Sequence, residues 1–316
     1  MKITRTVGEA RAWMRQQRDA GKSVGFVPTM GALHEGHVSL VRASVAENDA
    51  TVVSIFVNPT QFGPMEDLSK YPRPFERDVA LCEEAGAVMV YAPPPEVVYP
   101  PGYATYVDVQ RLTDTLCGAK RPGHFRGVAT VVTKLFNTIR ADRAYFGQKD
   151  AQQVRVIQQL VRDLDLEVEV RVCPILREAD GLAMSSRNAY LAPEERRLAP
   201  VLYQALQAIE RLYHEGEDDV HRLRELALAL INRERHAYVD YVEVVSPDTL
   251  QPLDRAADGA LVALAVRIGP ARLIDNLTLG KRPPSAPSPA KGPAARTSRP
   301  SRAAPASKGR STARRK

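Results

Sequence analysis

Short apolar runs alternate with longer amphipathic segments over the first 175 residues of the chain. The apolar runs predict strands at 23–28, 51–57, 87–91, 144–146 and 166–172. Apolar residues at helical spacing predict helices between them, at 37–48, 75–85, 128–139 and 151–163. Strands that alternate with helices are typical of parallel sheets with crossover helices, so we expect an α/β fold.

The pattern changes after Pro174. Long amphipathic segments at 193–215 and 218–235 predict two helices, and apolar runs at 238–245 and 259–268 predict two strands. This part is expected to form a smaller α+β domain. We therefore predict three regions along the chain, with boundaries at 1–175, 176–280 and 281–316.

Composition excludes several classes of protein. Hydrophobic residues make up 44% of the chain and charged residues 26%, which is ordinary for a globular protein. The longest apolar runs are about eight residues, far short of the ~20 that a membrane-spanning helix needs. The N-terminal segment is charged throughout and does not resemble a secretory signal, so we expect a cytoplasmic protein without membrane contact. Three widely spaced cysteines predict no disulfide framework.

The basic charge of the chain is confined to its C-terminal tail. Residues 281–316 hold eleven Lys or Arg and no Asp or Glu, while the whole chain has a net charge of +7, so residues 1–280 carry a net charge of −4. Seven prolines and no hydrophobic residue other than Ala predict that the tail is disordered. It is either a solvated extension or an arm that makes weak, salt-sensitive contact with nucleic acid or an acidic partner.

The first predicted strand leads into residues 28–37, which contain two glycines and two histidines. In an open α/β sheet, ligands bind at the carboxyl ends of strands, where a helix N-terminus offers free N–H groups to phosphate. His34 and His37 are three residues apart and are expected on one face of the first helical turn, where both can donate to phosphate oxygens. Two other interpretations stay open: half of a metal site, and a capping or surface role.

Polar residues also follow two other predicted strands. Asn58 and Gln61 can hold the hydroxyl and carboxylate of a small polar substrate, although Asn-Pro is also a common turn. Lys149 is placed to meet phosphate, and Gln153 to face a substrate. Asp150 can accept a hydrogen bond from a ribose hydroxyl or cap the next helix.

A fourth polar segment, residues 184–188, lies near the predicted domain boundary. Its two serines and Arg187 can wrap a polyphosphate, and a loop at a hinge can close over a bound substrate. Without further context it is simply a polar loop.

Seven motifs occur in one order over residues 1 to about 280: PTMGALHEGH, FVNPTQF, YPRP, RPGHFRGV, FGQKDAQQ, DGLAMSSRN and ARLIDN. Together they resemble the pantoate–β-alanine ligases (pantothenate synthetases). The resemblance implies a Rossmann-like nucleotidyltransferase fold, in which HEGH is the nucleotide-binding signature, and a homodimer. Residues 1–175 are expected to hold ATP and pantoate, and residues 176–280 to close over them as a lid. The resemblance also implies the reaction. Pantoate attacks the α-phosphate of Mg-ATP to give pantoyl adenylate and diphosphate, and β-alanine then displaces AMP to give pantothenate.

The resemblance further assigns roles to residues of this sequence. His37 and His34, with Lys149, Ser185 and Arg187, are expected to be catalytic, and Asn58, Gln61 and Gln153 are expected to bind pantoate or β-alanine. ATP is expected to contact Met30, Gly31, Ala32, Leu33, His34, Glu35, Gly36, His37, Gly147, Gln148, Lys149, Asp150, Leu176, Met184, Ser185, Ser186 and Arg187.

Three further positions bear on these expectations. By resemblance Asp78 belongs to an acidic pair on the magnesium side, but its preceding neighbour is Arg77, a cation. Cys117 stands where some members have Glu, and His124 is expected to order a loop beside the site. Two rival functions remain: another nucleotidyltransferase of the same fold, and a nucleic-acid-binding protein that works through its tail.

Overall fold

Six parallel strands form the main sheet of the structure, a computed structural model that describes residues 1–64 and 66–281. The sheet has the order β1-β4-β3-β2-β5-β6. Its strands are β1 (Lys2–Thr4), β2 (Val24–Thr29), β3 (Ala50–Ile55), β4 (Met89–Tyr91), β5 (Arg143–Gly147) and β6 (Glu169–Cys173). The predicted α/β class is confirmed, and β1 is a strand that the pattern did not reveal.

Helices connect these strands and continue into the C-terminal part. Their bounds are α1 (Val7–Asp19), α2 (Glu35–Glu47), α3 (Phe75–Glu84), α4 (Pro95–Val98), α5 (Leu116–Lys120), α6 (His124–Ile139), α7 (Ala151–Asp163), α8 (Pro193–Leu198), α9 (Val201–His214) and α10 (Val220–Ile231). Short 3₁₀ turns occupy Pro59–Gln61, Gln148–Asp150 and Ser186–Tyr190. The prediction of one helix over 193–215 is wrong, because Pro200 separates α8 from α9 and its ring removes a backbone N–H donor.

A second, antiparallel sheet of three strands follows in the described part of the chain, in the order β7 (Ala237–Val245), β8 (Leu261–Ile268), β9 (Ala271–Thr278). Most of its apolar side chains pack with α9 and α10 in one hydrophobic cluster, while Val245, Leu261 and Ala263 belong to the core of the main sheet. Residues up to 282 nevertheless form one compact unit. The boundary near residue 175 therefore stays a prediction, and the predicted tail lies outside the described residues, apart from Lys281.

The strand order sets where a ligand can bind. The chain builds the sheet outward from β2 in both directions, since β3 and β4 lie on one side and β5 and β6 on the other. The carboxyl ends of β2, β3 and β5 therefore meet at a topological switch point, where open α/β sheets bind ligands. Within residues 1–64 and 66–281, no helix is both long and apolar enough to cross a membrane.

Helix α6 packs directly against the 3₁₀ turn at Pro59–Gln61, which follows β3. The contact requires glycine at position 127, because a Cβ there would lie 2.4 Å from the carbonyl oxygen of Thr60 and 2.7 Å from the Cα of Gln61. Asn58 reinforces the contact by donating from Nδ2 to the carbonyl oxygen of Gly127, at 3.1 Å. The helix thus fixes the backbone of a predicted substrate-binding segment.

Gly127→Ala should lower the free energy of unfolding by about 1–3 kcal/mol, because the added methyl group overpacks a backbone contact that cannot relax. Gly8→Ala is the matched control: it also replaces a helical glycine, but a Cβ at Gly8 has nothing within 4 Å. This control should be neutral or stabilising by up to ~1 kcal/mol. Urea unfolding of both variants tests the difference, and equal effects would contradict the packing argument.

Candidate active site

A cavity of about 180 Å³ lies at the carboxyl ends of β2, β3 and β5. It brings together most of the side chains that the sequence predicted to be functional: Met30, His34, His37, Asn58, Gln61, Lys149, Asp150, Gln153, Ser185, Ser186 and Arg187. Five of them, Lys149, Asp150, Gln153, Ser185 and Arg187, also border an adjoining cavity of about 560 Å³. The four predicted polar segments therefore converge on one place.

The two histidines begin helix α2 and hold each other in place. His34 is the N-cap residue, and its Nδ1 accepts a hydrogen bond from the backbone N–H of Gly36 at 3.1 Å. His37 Nδ1 accepts in turn from the backbone N–H of His34 at 3.4 Å. The ring centroids are 4.1 Å apart. A capping role and a place in the cavity are thus combined in the same side chain.

Both imidazoles are electrically neutral in this setting. Burial lowers the pKa of His34 to about 4, with the Lys149 cation as the second cause. Burial also holds the pKa of His37 well below its usual range, and His34 and Lys149 lower it further. Because each Nδ1 accepts from a backbone N–H, the ring proton is on Nε2. The pair therefore offers two neutral N–H donors.

The loop between β2 and α2 is fixed by a carboxylate from α3. Asp78 is only 1% exposed, and its two oxygens accept hydrogen bonds from the backbone N–H groups of Ala32 at 2.7 Å and Leu33 at 2.8 Å. Gly31 has a φ of +81°, and a Cβ there would lie 3.0 Å from Asp78 Oδ2. The tight turn and the buried carboxylate together set the path of the backbone into His34.

Asn58 organises the opposite wall of the cavity. It is 1% exposed and donates from Nδ2 to Gln61 Oε1 at 3.0 Å. Its Oδ1 accepts from the hydroxyl groups of Tyr99 at 2.8 Å and Thr60 at 2.9 Å. Since Oε1 of Gln61 is occupied by Asn58, the rotamer of the Gln61 amide is defined.

His124 and Arg121 hold the main chain of Gln61. His124 Nδ1 lies 2.8 Å from the carbonyl oxygen of Gln61, and Arg121 Nη1 lies 3.0 Å from His124 Nε2. Burial lowers the pKa of His124 to about 4, with Arg121 as the second cause, so the ring is neutral and donates to the carbonyl. Arg121 also forms a bidentate ion pair with Glu66, at 2.6 and 2.7 Å. The expected ordering role of His124 has this physical basis, whereas sequence reasoning missed Arg121 and Glu66.

The segment after β5 places a charged pair at the cavity. Lys149 Nζ and Asp150 Oδ2 are 3.7 Å apart. Asp150 stands at the start of α7 but makes no capping hydrogen bond with its side chain, so its carboxylate is available to a ligand. Gly147 ends β5, and the side chain of Gln148 points away to Asn276 Oδ1, at 3.2 Å.

The fourth segment lies close to the helix α2 terminus. The backbone N–H of Met184 donates to the carbonyl oxygen of Leu176 at 3.0 Å, and a Cβ on Gly36 would lie 3.6 Å from Met184 Cβ. Ser185 Oγ caps the following 3₁₀ turn by accepting from the backbone N–H of Arg187 at 3.3 Å. Arg187 forms an ion pair with Asp67 at 3.2 Å.

Other predicted residues do not direct side chains into this cavity. Glu35 pairs with Arg42 on the helix surface, and Leu33 is buried in the core. Gly31 and Asp78 border a different cavity, of about 390 Å³. Cys117 lines the larger adjoining cavity, where its sulfur lies 3.2 Å from the hydroxyl of Tyr241.

A metal centre made of protein ligands alone does not account for this arrangement. Over residues 1–64 and 66–281, the structure has no group of three His, Cys, Asp or Glu side chains placed to hold a metal ion. The cavity instead combines neutral donors, amides, a lysine and an arginine, which suits a phosphorylated ligand beside a small polar one.

Comparison with known proteins agrees with this geometry. The family model of the pantoate-beta-alanine ligases matches residues 2–278. A pantothenate synthetase of Acetivibrio thermocellus is 54% identical over 277 residues, which cover 88% of this chain and 99% of that protein. The crystal structure of pantothenate synthetase from Thermus thermophilus has a TM-score of 0.85 at 48% identity and covers 89% of this chain and 100% of that one.

A second solved structure was determined with ligands. The pantoate-beta-alanine ligase from Francisella tularensis, complexed with beta-gamma ATP and beta-alanine, has a TM-score of 0.73 at 33% identity. It covers 88% of this chain and 97% of that one. The order of the motifs, the fold and the near-complete coverage lead to one conclusion: this chain belongs to the pantoate–β-alanine ligase family.

Proposed function

We propose that this chain condenses (R)-pantoate with β-alanine to form pantothenate, in a reaction that converts ATP to AMP and diphosphate through a pantoyl-adenylate intermediate. The observation that carries the proposal is the single cavity in which His34, His37, Gln61, Lys149 and Arg187 meet. A free carboxylate is a poor acyl donor, whereas an acyl adenylate has AMP as a good leaving group. The site must therefore hold an acid and a nucleotide side by side.

In this proposal Gln61 and Gln153 bind the organic substrates. Asn58, which was expected to bind them as well, positions Gln61 instead, because both of its amide protons and its oxygen are engaged within the protein. Gln61 is fixed through both its side chain and its main chain, so its amide can be presented to pantoate and then to β-alanine without reorganisation. Gln153 reaches the same cavity from α7. A preorganised acid beside a nucleotide lowers the entropic part of the barrier.

The nucleotide side consists of residues 30–37, 147–150, Leu176 and 184–187. The neutral Nε2–H groups of His34 and His37 are suited to donating to phosphate oxygens, where negative charge grows as diphosphate leaves. Lys149 and Arg187 supply positive charge, and Ser185 a hydroxyl. These are the residues to which we assign catalysis, and each acts by stabilising charge or by positioning.

Magnesium is expected with ATP in this family, but Asp78 does not fit as its ligand. Both carboxylate oxygens of Asp78 accept hydrogen bonds from the loop, and the residue is 1% exposed. Magnesium needs near-octahedral oxygen ligands and usually keeps several waters. We therefore assign Asp78 to loop positioning and derive no step through the metal.

We also propose a cytoplasmic homodimer, on the ground of the family resemblance. For the tail, we propose weak, salt-sensitive contact with nucleic acid or an acidic partner. The concentration of eleven Lys or Arg in residues 281–316, with no Asp or Glu, supports this.

Purified protein incubated with Mg-ATP, pantoate and β-alanine should yield AMP, diphosphate and pantothenate, as followed by mass spectrometry. Pantoate and ATP alone should give diphosphate and enzyme-bound pantoyl adenylate, while AMP and amide should require the amine. AMP-forming activity that ignores β-alanine would identify a different nucleotidyltransferase and overturn the proposal.

The neutral histidines predict how stability depends on pH. Between pH 6.5 and about 4, the unfolded chain binds a proton at residue 34, whereas the folded chain does not. The free energy of unfolding should therefore fall as the pH is lowered through this window, by up to about 1.4 kcal/mol per pH unit for each such histidine. Urea unfolding between pH 4.5 and 7 should show that the free energy of unfolding changes less with pH in His34→Gln than in the wild-type protein. His221→Gln, at a side chain that is 77% exposed, should keep the original slope; an unchanged slope in His34→Gln would contradict the assignment of neutrality.

Asp78→Asn should reduce stability even without nucleotide or metal. An amide offers only one acceptor oxygen, so its NH₂ group would face one of the two loop N–H donors. The expected loss is about 1–3 kcal/mol in urea unfolding of the metal-free protein. A variant with unchanged stability but a raised magnesium requirement would instead identify Asp78 as a metal ligand.

A further inference from the structure

Two consecutive polar residues in β9 are almost completely buried. Asp275 is 2% exposed and Asn276 is 3% exposed. Successive side chains of a strand point to opposite faces, so each residue must find its own polar partners. Neither has been given a role in the site, and both border the larger cavity of about 560 Å³.

Asn276 is bonded to the turn that carries Lys149. Its Nδ2 donates to the carbonyl oxygens of Gln148 at 3.0 Å and Lys149 at 2.9 Å, and its Oδ1 accepts from Gln148 Nε2 at 3.2 Å. Both amide protons and the amide oxygen are therefore engaged by a single turn. This side chain dictates the course of the backbone at the start of α7.

Asp275 is bonded to the stretch of chain just before the other nucleotide-side segment, residues 184–187. Its carboxylate forms a bidentate ion pair with Arg177, at 2.6 and 3.0 Å. The same guanidinium donates to the carbonyl oxygen of Gly181 at 3.0 Å and lies 3.9 Å from the ring centroid of Tyr203. Residues 177–183 form a tight antiparallel turn, in which Arg177 pairs with Ala183, and Asp275 thereby holds the turn that leads into residues 184–187.

Asp275 and Asn276 are consecutive residues of β9, so both contacts start from the same short stretch of strand. The backbone N–H of Asn276 donates to Asp275 Oδ1 at 2.8 Å, so the Asp275 carboxylate is also held by the backbone of the next residue. A short stretch of β9 thus sets the distance between the Lys149 turn and the segment at 184–187. Effective catalysis by positioning requires such distances to hold within fractions of an ångström.

We propose that Asp275 and Asn276 are positioning residues for ATP, which hold the two nucleotide-side segments at a fixed separation. The inference rests on the proposed function for the identity of the nucleotide. Neither residue needs to touch the substrate. Their loss is expected to weaken ATP binding through displaced backbone, and to leave the Gln61 side of the cavity intact.

The test compares ATP binding, measured by isothermal titration calorimetry, with the KM values for ATP and pantoate. Asn276→Ala and Asp275→Asn should each weaken ATP binding and raise the KM for ATP by about tenfold or more, the loss expected from removing anchoring hydrogen bonds. The KM for pantoate should change by less than about twofold. Two variants are used because Asn276→Ala leaves buried carbonyl groups unpaired, whereas Asp275→Asn is nearly isosteric.

Matched controls separate positioning from general destabilisation. Asn232→Ala makes the same substitution at an exposed residue. Glu243→Gln changes a residue on β7 of the same sheet, and removes the carboxylate that pairs with Arg224 of α10. Both controls should keep wild-type ATP affinity. Folded Asp275 and Asn276 variants with wild-type ATP affinity, or an equal rise in both KM values, would overturn the inference.

The readouts also separate this inference from the proposed function. A wild-type protein that binds ATP but forms no pantothenate would overturn the proposed function. The ATP affinities of the Asp275 and Asn276 variants, relative to the wild-type protein, would still test the positioning role. A wild-type protein that binds no ATP would overturn both.

Discussion

The buried carboxylate of Asp78 is the interaction on which the rest of the site depends. It satisfies two backbone N–H groups of the loop after β2, and so determines where α2 begins. The start of α2 then places His34 as its N-cap and His37 one turn on, with both Nδ1 atoms occupied by backbone donors. The tautomer of the two rings and the direction of their free N–H groups therefore depend on the loop that Asp78 holds, whereas burial lowers the pKa of both rings and keeps them neutral.

The same principle recurs around the cavity. The turn at Gln148–Asp150 is held by Asn276, and the carbonyl of Gln61 by His124. In each case a buried polar side chain from a distant element stabilises a backbone turn, and the turn carries the side chain that faces the ligand. Burying such groups is costly unless every donor and acceptor is paired, so these anchors tolerate little change.

The sequence was sufficient to predict much of this. The apolar runs predicted β2, β3 and β5, and polar residues at their carboxyl ends predicted where a ligand would bind. Local patterns could not reveal the anchors, because Asn276 and Gln148 are 128 positions apart and the pairing exists only after folding. For the same reason the loop contacts of Asp78 could not be predicted: the resemblance places it on the magnesium side, and an acidic residue in a helix gives no local sign of which N–H groups it will meet. The break at Pro200 was missed although proline gives a clear signal, since the apolar spacing continues on both sides of it.

These anchors also limit how the C-terminal part can move. If residues 176–280 opened as a rigid lid, Asn276 would leave two carbonyl oxygens of the Lys149 turn without their donors, and each lost hydrogen bond costs about 1 kcal/mol. The β9 strand is thus tied to the nucleotide side on both of its faces. The segment between β3 and α3 also contacts the rim of the cavity. Glu66 and Asp67 form ion pairs with Arg121 and Arg187, and the hydroxyl of Tyr71 lies 3.4 Å from Ser186 Oγ. Opening at the predicted boundary would therefore break hydrogen bonds to backbone carbonyl groups of the Lys149 turn, whereas these rim contacts join side chains only.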